Sequence, residues 1–275
     1  MKLYYEQMKE NVKLRWRSLL VRFFLFIFGF AISTLGIAFY TTTKIGASQM
    51  DFTIYVISAM IDGYDMSNGS MTSEVIQGIY ILIYNLILAL FVILSIAFSL
   101  PKIIKDLKEK NSVSTIQMTI NLICDIIIVF LAPLLMQLYL KQVVAVEQIM
   151  SESTSQNIRN LIFIGGFVMF CIGVAMWVHA NMSLGPYNSY ASSFQNLTGL
   201  NYAISRVLMD LLIFVPGLIL FPFIPGDWNQ KTQFLLTNLG IGTIAFTFLT
   251  GPFVNLIIKG LKKIFDWDKI DKINA

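Results

Sequence analysis

Charge is what this 275-residue chain has least of: Lys, Arg, Asp and Glu make up 13% of it, against roughly a quarter in soluble domains. That scarcity, with 56% hydrophobic residues and a mean hydropathy of +0.69, excludes an ordinary soluble globule. Cysteine and histidine are nearly missing too, at two and one. Cys124 and Cys171 lie inside apolar runs, and neither their spacing nor the histidine supply suits a disulfide framework or a metal cluster. His179 ends an apolar run and reads as an interfacial polar residue. The chain lacks a phosphate-binding loop, a serine-nucleophile elbow and a zinc-ligand pair. No enzyme activity, cofactor or metal is therefore expected.

What is there is apolar length. Six runs of at least ~18 residues fall at about 23 to 43, 76 to 99, 116 to 138, 160 to 180, 203 to 224 and 234 to 257. Of the charged residues only Asp125, Arg206 and Asp210 lie inside them. A net charge of +4 is compatible with nucleic-acid binding, but its distribution argues otherwise. Basic residues cluster from Lys2 to Arg22, from Lys102 to Lys110 and from Lys259 to Lys272, whereas the alternate connections hold only Lys44, Lys141, Arg159 and Lys231. That alternation predicts six helices in a plasma membrane with both termini cytoplasmic. The first run is too long for a cleaved signal peptide and lacks a small-residue cleavage pattern. The stretch before it, rich in Lys, Arg, Tyr and Trp, reads either as an amphipathic helix on an anionic leaflet or as a solvated basic tail.

The two halves repeat. At a shift of 137, GFAISTLGIAF (29–39) lies over GFVMFCIGVAM (166–176), aligning Gly29 with Gly166 and Gly36 with Gly173. The register continues without a gap, so that Ser48 to Asp51 falls on Gly185 to Asn188. At a shift of 125, after the first-half insertion DGYDMSNGSMTSE, Asn85 pairs with Asp210. Because each unit has three spans, the second enters the membrane from the opposite side, which makes an inverted repeat of the kind that builds many secondary transporters. The loops KIGASQMD and NMSLGPYN, carrying Gly46 and Gly185, then lie on opposite sides. Each precedes a short apolar segment, 52–61 and 189–197, that reads either as a re-entrant half-helix with an anion-favouring N-terminus or as a surface helix.

Four features of the second half resemble the YczE/YyaS/YitT group of bacterial integral membrane proteins: Gly166 with Gly173, SLGPYN, LTGLNYAISRVLMD, and GIGTIAFTFLTGPFVNLI. In the first half, KIGASQMD looks like that group's loop. Asn188 stands where the group has an acidic residue, Gln49 where it has a proline, and the insertion is extra. The resemblance implies a polytopic membrane protein of transporter or permease type and supplies no substrate.

A charge at the bilayer centre costs about 2.5 to 3.5 kcal/mol on insertion scales, so the intramembrane polar residues define the candidate site. Arg206 and Asp210 are four apart on one helical face; they read as an ion pair that fixes packing or as an anchor for a charged substrate. Asp125, one turn from Asn121, has no basic residue on its helix. It is therefore protonated, hydrated or paired across helices, with Arg206 the intramembrane candidate. Asn85, Asp51 and Asn188 complete the substrate or coupling candidates, and Gly29, Gly36, Gly166 and Gly173 are expected at close helix contacts.

The expected architecture is an all-α membrane protein of six transmembrane helices in two inverted repeats. Its divisions are a basic cytoplasmic segment (1–22), a first repeat (23–140), an extracytoplasmic linker (141–159), a second repeat (160–258) and a basic cytoplasmic tail (259–275). The expected function is alternating-access transport of an unidentified small solute. The alternative is a non-transporting accessory or substrate-binding subunit of an export, biosynthetic or ATPase-driven complex, with a protein partner on the cytoplasmic face. The lipid bilayer is a partner in either case; nucleic acid is not.

Overall fold

The computed structural model describes residues 2–43, 45–62, 74–109, 112–149, 155–183, 185–200, 202–267 and 270, and every regular element among them is helical. The order is α1 (Lys2–Thr42), α2 (Gln49–Asp62), α3 (Glu74–Lys108), α4 (Ser112–Ile149), α5 (Gln156–Ala180), α6 (Pro186–Thr198), α7 (Tyr202–Leu220), a short 3-10 turn (Phe221–Phe223), α8 (Trp228–Asn238), α9 (Ile241–Phe248) and α10 (Thr250–Ile264). Four segments are long and apolar enough to cross a membrane: Arg15–Tyr40, Ile79–Lys108, Ser114–Ala132 and Gln156–Ala180. A fifth forms if α9 and α10, bent by 49° at their junction, count as one span. Their outward faces carry large apolar side chains such as Phe28, Leu86, Phe130 and Leu161, each more than half exposed. Surface patches of that kind need lipid to cover them. The chain is a multi-pass membrane protein.

The sequence divisions shift at three places. The basic N-terminal stretch is neither a separate surface helix nor a tail, because α1 runs without a break from Lys2 into the first apolar run. No proline or glycine interrupts residues 2 to 28, so the helical hydrogen bonding carries on past the last apolar residue. The linker assigned to 141–159 starts as helix, since α4 continues to Ile149. The sixth apolar run, expected as one helix, is broken after Asn238 and bent after Phe248. Gly240 and Gly242, whose backbones are needed elsewhere, account for the first break. The first-half insertion lies, apart from its ends, outside the described residues.

The tightest packing joins α1 to α5, backbone against backbone. A Cβ on Gly29 would lie 2.7 Å from the Gly173 carbonyl oxygen, one on Gly36 2.7 Å from that of Gly166, and one on Gly173 2.3 Å from the Ser33 nitrogen. Only glycine leaves room for this approach, which is how helices associate where hydrophobic driving force between them is missing. The contacts pair Gly29 with Gly173 and Gly36 with Gly166. Exchanging the halves in the 137-residue alignment turns each contact into the other.

Around this seam the two short helices pack inside the bundle. On α2, Phe52, Ile54, Val56 and Ala59 are buried, with Phe52 against Phe214 of α7 and Phe234 of α8. On α6, Tyr190 stacks on Phe91 and Phe98 of α3, and Ser193 bonds Ser95 and Ser99 at 3.0 and 2.9 Å. Both short helices thus pack against the long ones.

Gly173→Val is expected to lower stability by about 3 kcal/mol through overpacking. Gly165→Ala, where nothing lies within 4 Å, should stay within about 0.5 kcal/mol of the parent. Thermal unfolding of the purified protein in detergent measures both.

Candidate functional site

The two glycine loops are each held by the opposite half of the chain. In the first, Gly46 adopts φ +143°, a conformation that side chains disfavour. This turns the backbone toward the break between α8 and α9. Ala47 N–H donates to Asn238 O at 2.9 Å, Gly242 N–H donates to Ile45 O at 3.2 Å, and the Thr243 hydroxyl donates to Ala47 O at 2.7 Å. A Cβ on Gly240 would sit 2.1 Å from Ile45 O, so the loop fits only against glycine. Gln49 also bonds Thr247 of α9. These contacts absorb the carbonyl and N–H groups freed by breaking the sixth apolar run, which would otherwise be unpaired in hydrocarbon.

The second loop is held by α4. Gln117, Asn121 and Asp125 recur every fourth residue and so form one stripe. Gln117 donates to Asn181 O at 2.5 Å. The Asn121 amide nitrogen lies 2.7 Å from Met182 O in the orientation that satisfies both of its polar atoms. Asp125 accepts from the Ser183 hydroxyl, with Ser189 a second side-chain donor. Ser183 Oγ in turn accepts from Gly185 N–H at 2.7 Å, where φ is +78°. Asp125 thus meets hydroxyls of the second loop and of the first turn of α6.

Asp51 occupies the third position of α2, following Ser48 as its N-cap. Ser48 Oγ accepts from Asp51 N–H at 3.1 Å and donates to Asp51 Oδ2 at 2.7 Å. Tyr40 of α1 donates to the same oxygen at 2.8 Å, and Tyr80 of α3 donates to Oδ1 at 2.6 Å. A buried carboxylate with three hydroxyl donors at the positive end of a helix is well solvated without a cation. Asn188 holds the equivalent third position of α6 and carries no charge. The carboxylate serving the first turn of α6 comes instead from Asp125 on α4. The acid beside the start of α2 thus belongs to that helix, whereas the acid beside the start of α6 comes from α4.

Asp210 on α7 accepts from Tyr187, also in the first turn of α6. Asp125 and Asp210 therefore converge on that turn, while Asp51 serves α2. Arg206 lies one turn before Asp210 on α7, and its side chain is outside the described residues. Asn85, aligned with Asp210, leaves its Oδ1 buried without a hydrogen-bond partner among the described residues.

The chain belongs to a family. The model of a family of unknown function, DUF6198, matches residues 20–259, a span that takes in both loops and every candidate residue. Neither the curated proteins nor the solved structures contain a match. The family's description names no activity, so chemistry has to be argued from the side chains.

Several partners carried no sequence signal. Tyr40 and Tyr80 lie 11 residues before and 29 residues after Asp51, with nothing in their spacing to join them. Gln117 was findable, since it extends the Asn121–Asp125 stripe by one turn. Arg22 was read as a flanking positive charge. It is buried, donates to Ala180 O at 3.3 Å and stands 4.3 Å from the Trp267 ring centroid. Trp267 Nε1–H donates to His179 O at 2.8 Å, and His179 Nε2 lies 3.0 Å from Phe265 O. His179 thus fastens the segment after α10 to the end of α5.

Asp125→Asn should lower stability by about 1 to 3 kcal/mol, the cost of leaving buried partners badly satisfied. Asn188→Asp alone should also destabilise, by setting a second carboxylate beside Asp125 at the α6 N-terminus. Together the two changes should recover at least half of the larger single loss, because the anion returns to the same helix end. Melting temperatures of the four proteins check this sign reversal.

Proposed function

We propose that this protein is a secondary transporter of a bacterial plasma membrane, built from six spans in two inverted three-helix repeats, which moves a small solute by alternating access. The observation that carries the reading is the reciprocal docking of the two glycine loops. The loop of each half is gripped by the third hydrophobic stretch of the other, and the α1–α5 glycine contacts interchange under the same exchange of halves. Two loops held in like fashion at opposite ends give two gates that open in alternation when one half rocks against the other. The carboxylates Asp125, bonded to Ser183 of the second loop, and Asp210, bonded to Tyr187 in the first turn of α6, supply the polar groups such a pathway needs.

An even number of spans, with both termini cytoplasmic, is supported by Arg22 and Trp267. Arg22 lies in the first half of α1 and Trp267 follows α10, yet the two are in contact, so the flanks of the first and last helices share one end of the bundle. The motif resemblance to the YczE/YyaS/YitT group fits the same reading. A second reading, an accessory or binding subunit docked to a cytoplasmic partner, is favoured by the exposed lysines Lys9, Lys13, Lys259, Lys262 and Lys263.

In proteoliposomes, a metabolite panel should produce solute-dependent flux, and the same solutes should raise the melting temperature. Absence of both across the panel, with co-purification of an ATPase or export component, would favour the accessory reading. Arg206→Ala and Asp210→Ala should each lower flux at least tenfold, about 1.4 kcal/mol, while the double variant keeps normal folding yield. Equal losses of flux and yield would assign the pair to packing. Cysteines introduced at the two termini should react with an impermeant thiol reagent only from the cytoplasmic side; labelling of one terminus from each side would exclude six spans.

A further inference from the structure

An apolar groove of about 430 Å³ runs along the first part of α1. It is lined by Val12, Trp16, Leu20 and Phe23 of α1, Ile120 of α4 and Met182 of the second loop. Val12, Trp16, Leu20 and Phe23 follow one another at three- and four-residue steps, so they lie on one helical face. Trp16, Leu20 and Phe23 lie in the first turns of the span Arg15–Tyr40, and Val12 lies just before it. The same face continues beyond the groove into Lys9, three residues before Val12, and Lys13, three before Trp16. Both lysines are exposed. The Arg17 guanidinium stands 5.6 Å from the Trp16 ring centroid, which adds positive charge beside the groove. An apolar groove at the start of the span, with ammonium groups just before the span, is complementary to a molecule with a long apolar chain and an anionic head.

We propose that this groove binds an anionic phospholipid of the leaflet in which α1 begins, one acyl chain lying along Trp16 to Phe23 and the headgroup phosphate between Lys9 and Lys13. A neutral phospholipid fills the channel without using the lysines, and a soluble phosphate uses the lysines without the channel. The lipid touches Met182, whose carbonyl Asn121 faces, so its occupancy bears directly on the loop that Asp125 holds.

The test is tryptophan quenching by acyl-brominated lipids in vesicles of phosphatidylcholine. The full-length protein is reconstituted with the same minor fraction of either brominated phosphatidylglycerol or brominated phosphatidylcholine. The expected result is a preference of ~10-fold for the brominated anionic lipid, from two lysines near the surface. That excess should disappear in Trp16→Phe, which removes the reporter at the groove, and in Lys9→Gln/Lys13→Gln, whose exposed positions leave the melting temperature unchanged. Inorganic phosphate at matched ionic strength should not reduce it. Equal quenching by the two lipids would overturn the proposal. So would an excess that survives either variant, or one that phosphate displaces.

Discussion

The contact on which the rest of this structure depends is the direct packing of α1 and α5 through Gly29, Gly36, Gly166 and Gly173. Lipid is as apolar as a leucine side chain, so two helices gain little by hiding apolar surface from it. They gain by approaching closely enough for backbone atoms to touch. With carbonyl oxygens and amide nitrogens within 3 Å of where a Cβ would stand, these helices have one register and one crossing. Their ends are fixed as a result, and the loops that leave those ends are aimed at the third hydrophobic stretch of the opposite half. The break in the sixth apolar run follows from this arrangement. Asn238, Gly240 and Thr243 serve the first loop at the expense of a continuous helix.

The acids of the candidate site share a second feature: each accepts from at least one hydroxyl at or just before the start of a short helix. Asp51 gathers Ser48, Tyr40 and Tyr80, Asp125 takes Ser183 and Asp210 takes Tyr187. A hydroxyl can donate to a carboxylate and, after rotation, accept from a carboxylic acid. These bonds also tie the short helices to the bundle, which makes single substitutions hard to interpret without stability measured alongside function. The halves differ in this respect, with the acid in cis on α2 and in trans on α6.

Much of the frame was legible in the sequence because it is written in local patterns. The glycine pairs at seven-residue spacing and the two loops correspond to contacts in the structure, and four of the apolar runs correspond to helices long enough to cross a membrane. The expectation that α2 and α6 are short helices held as well, though only tertiary packing could decide that they are buried. What sequence could not reach were contacts between distant segments. Tyr40 and Tyr80 look like ordinary aromatic residues of apolar helices until α2 turns inward. Arg22 looks like a topogenic charge until Trp267 comes back across it. The continuity of α1 through its basic stretch was misjudged because composition marked a boundary where backbone hydrogen bonding had none.

The central claim is that the two loops are alternating gates to one pathway. It is tested most directly by single cysteines at Gln49 and Asn188, probed with impermeant thiol reagents from each face of oriented membranes. The account predicts opposed accessibility: solutes or pH changes that raise labelling at one position from its own face lower labelling at the other from the opposite face. Labelling that rises and falls together at both positions, or that never changes at either, would contradict it.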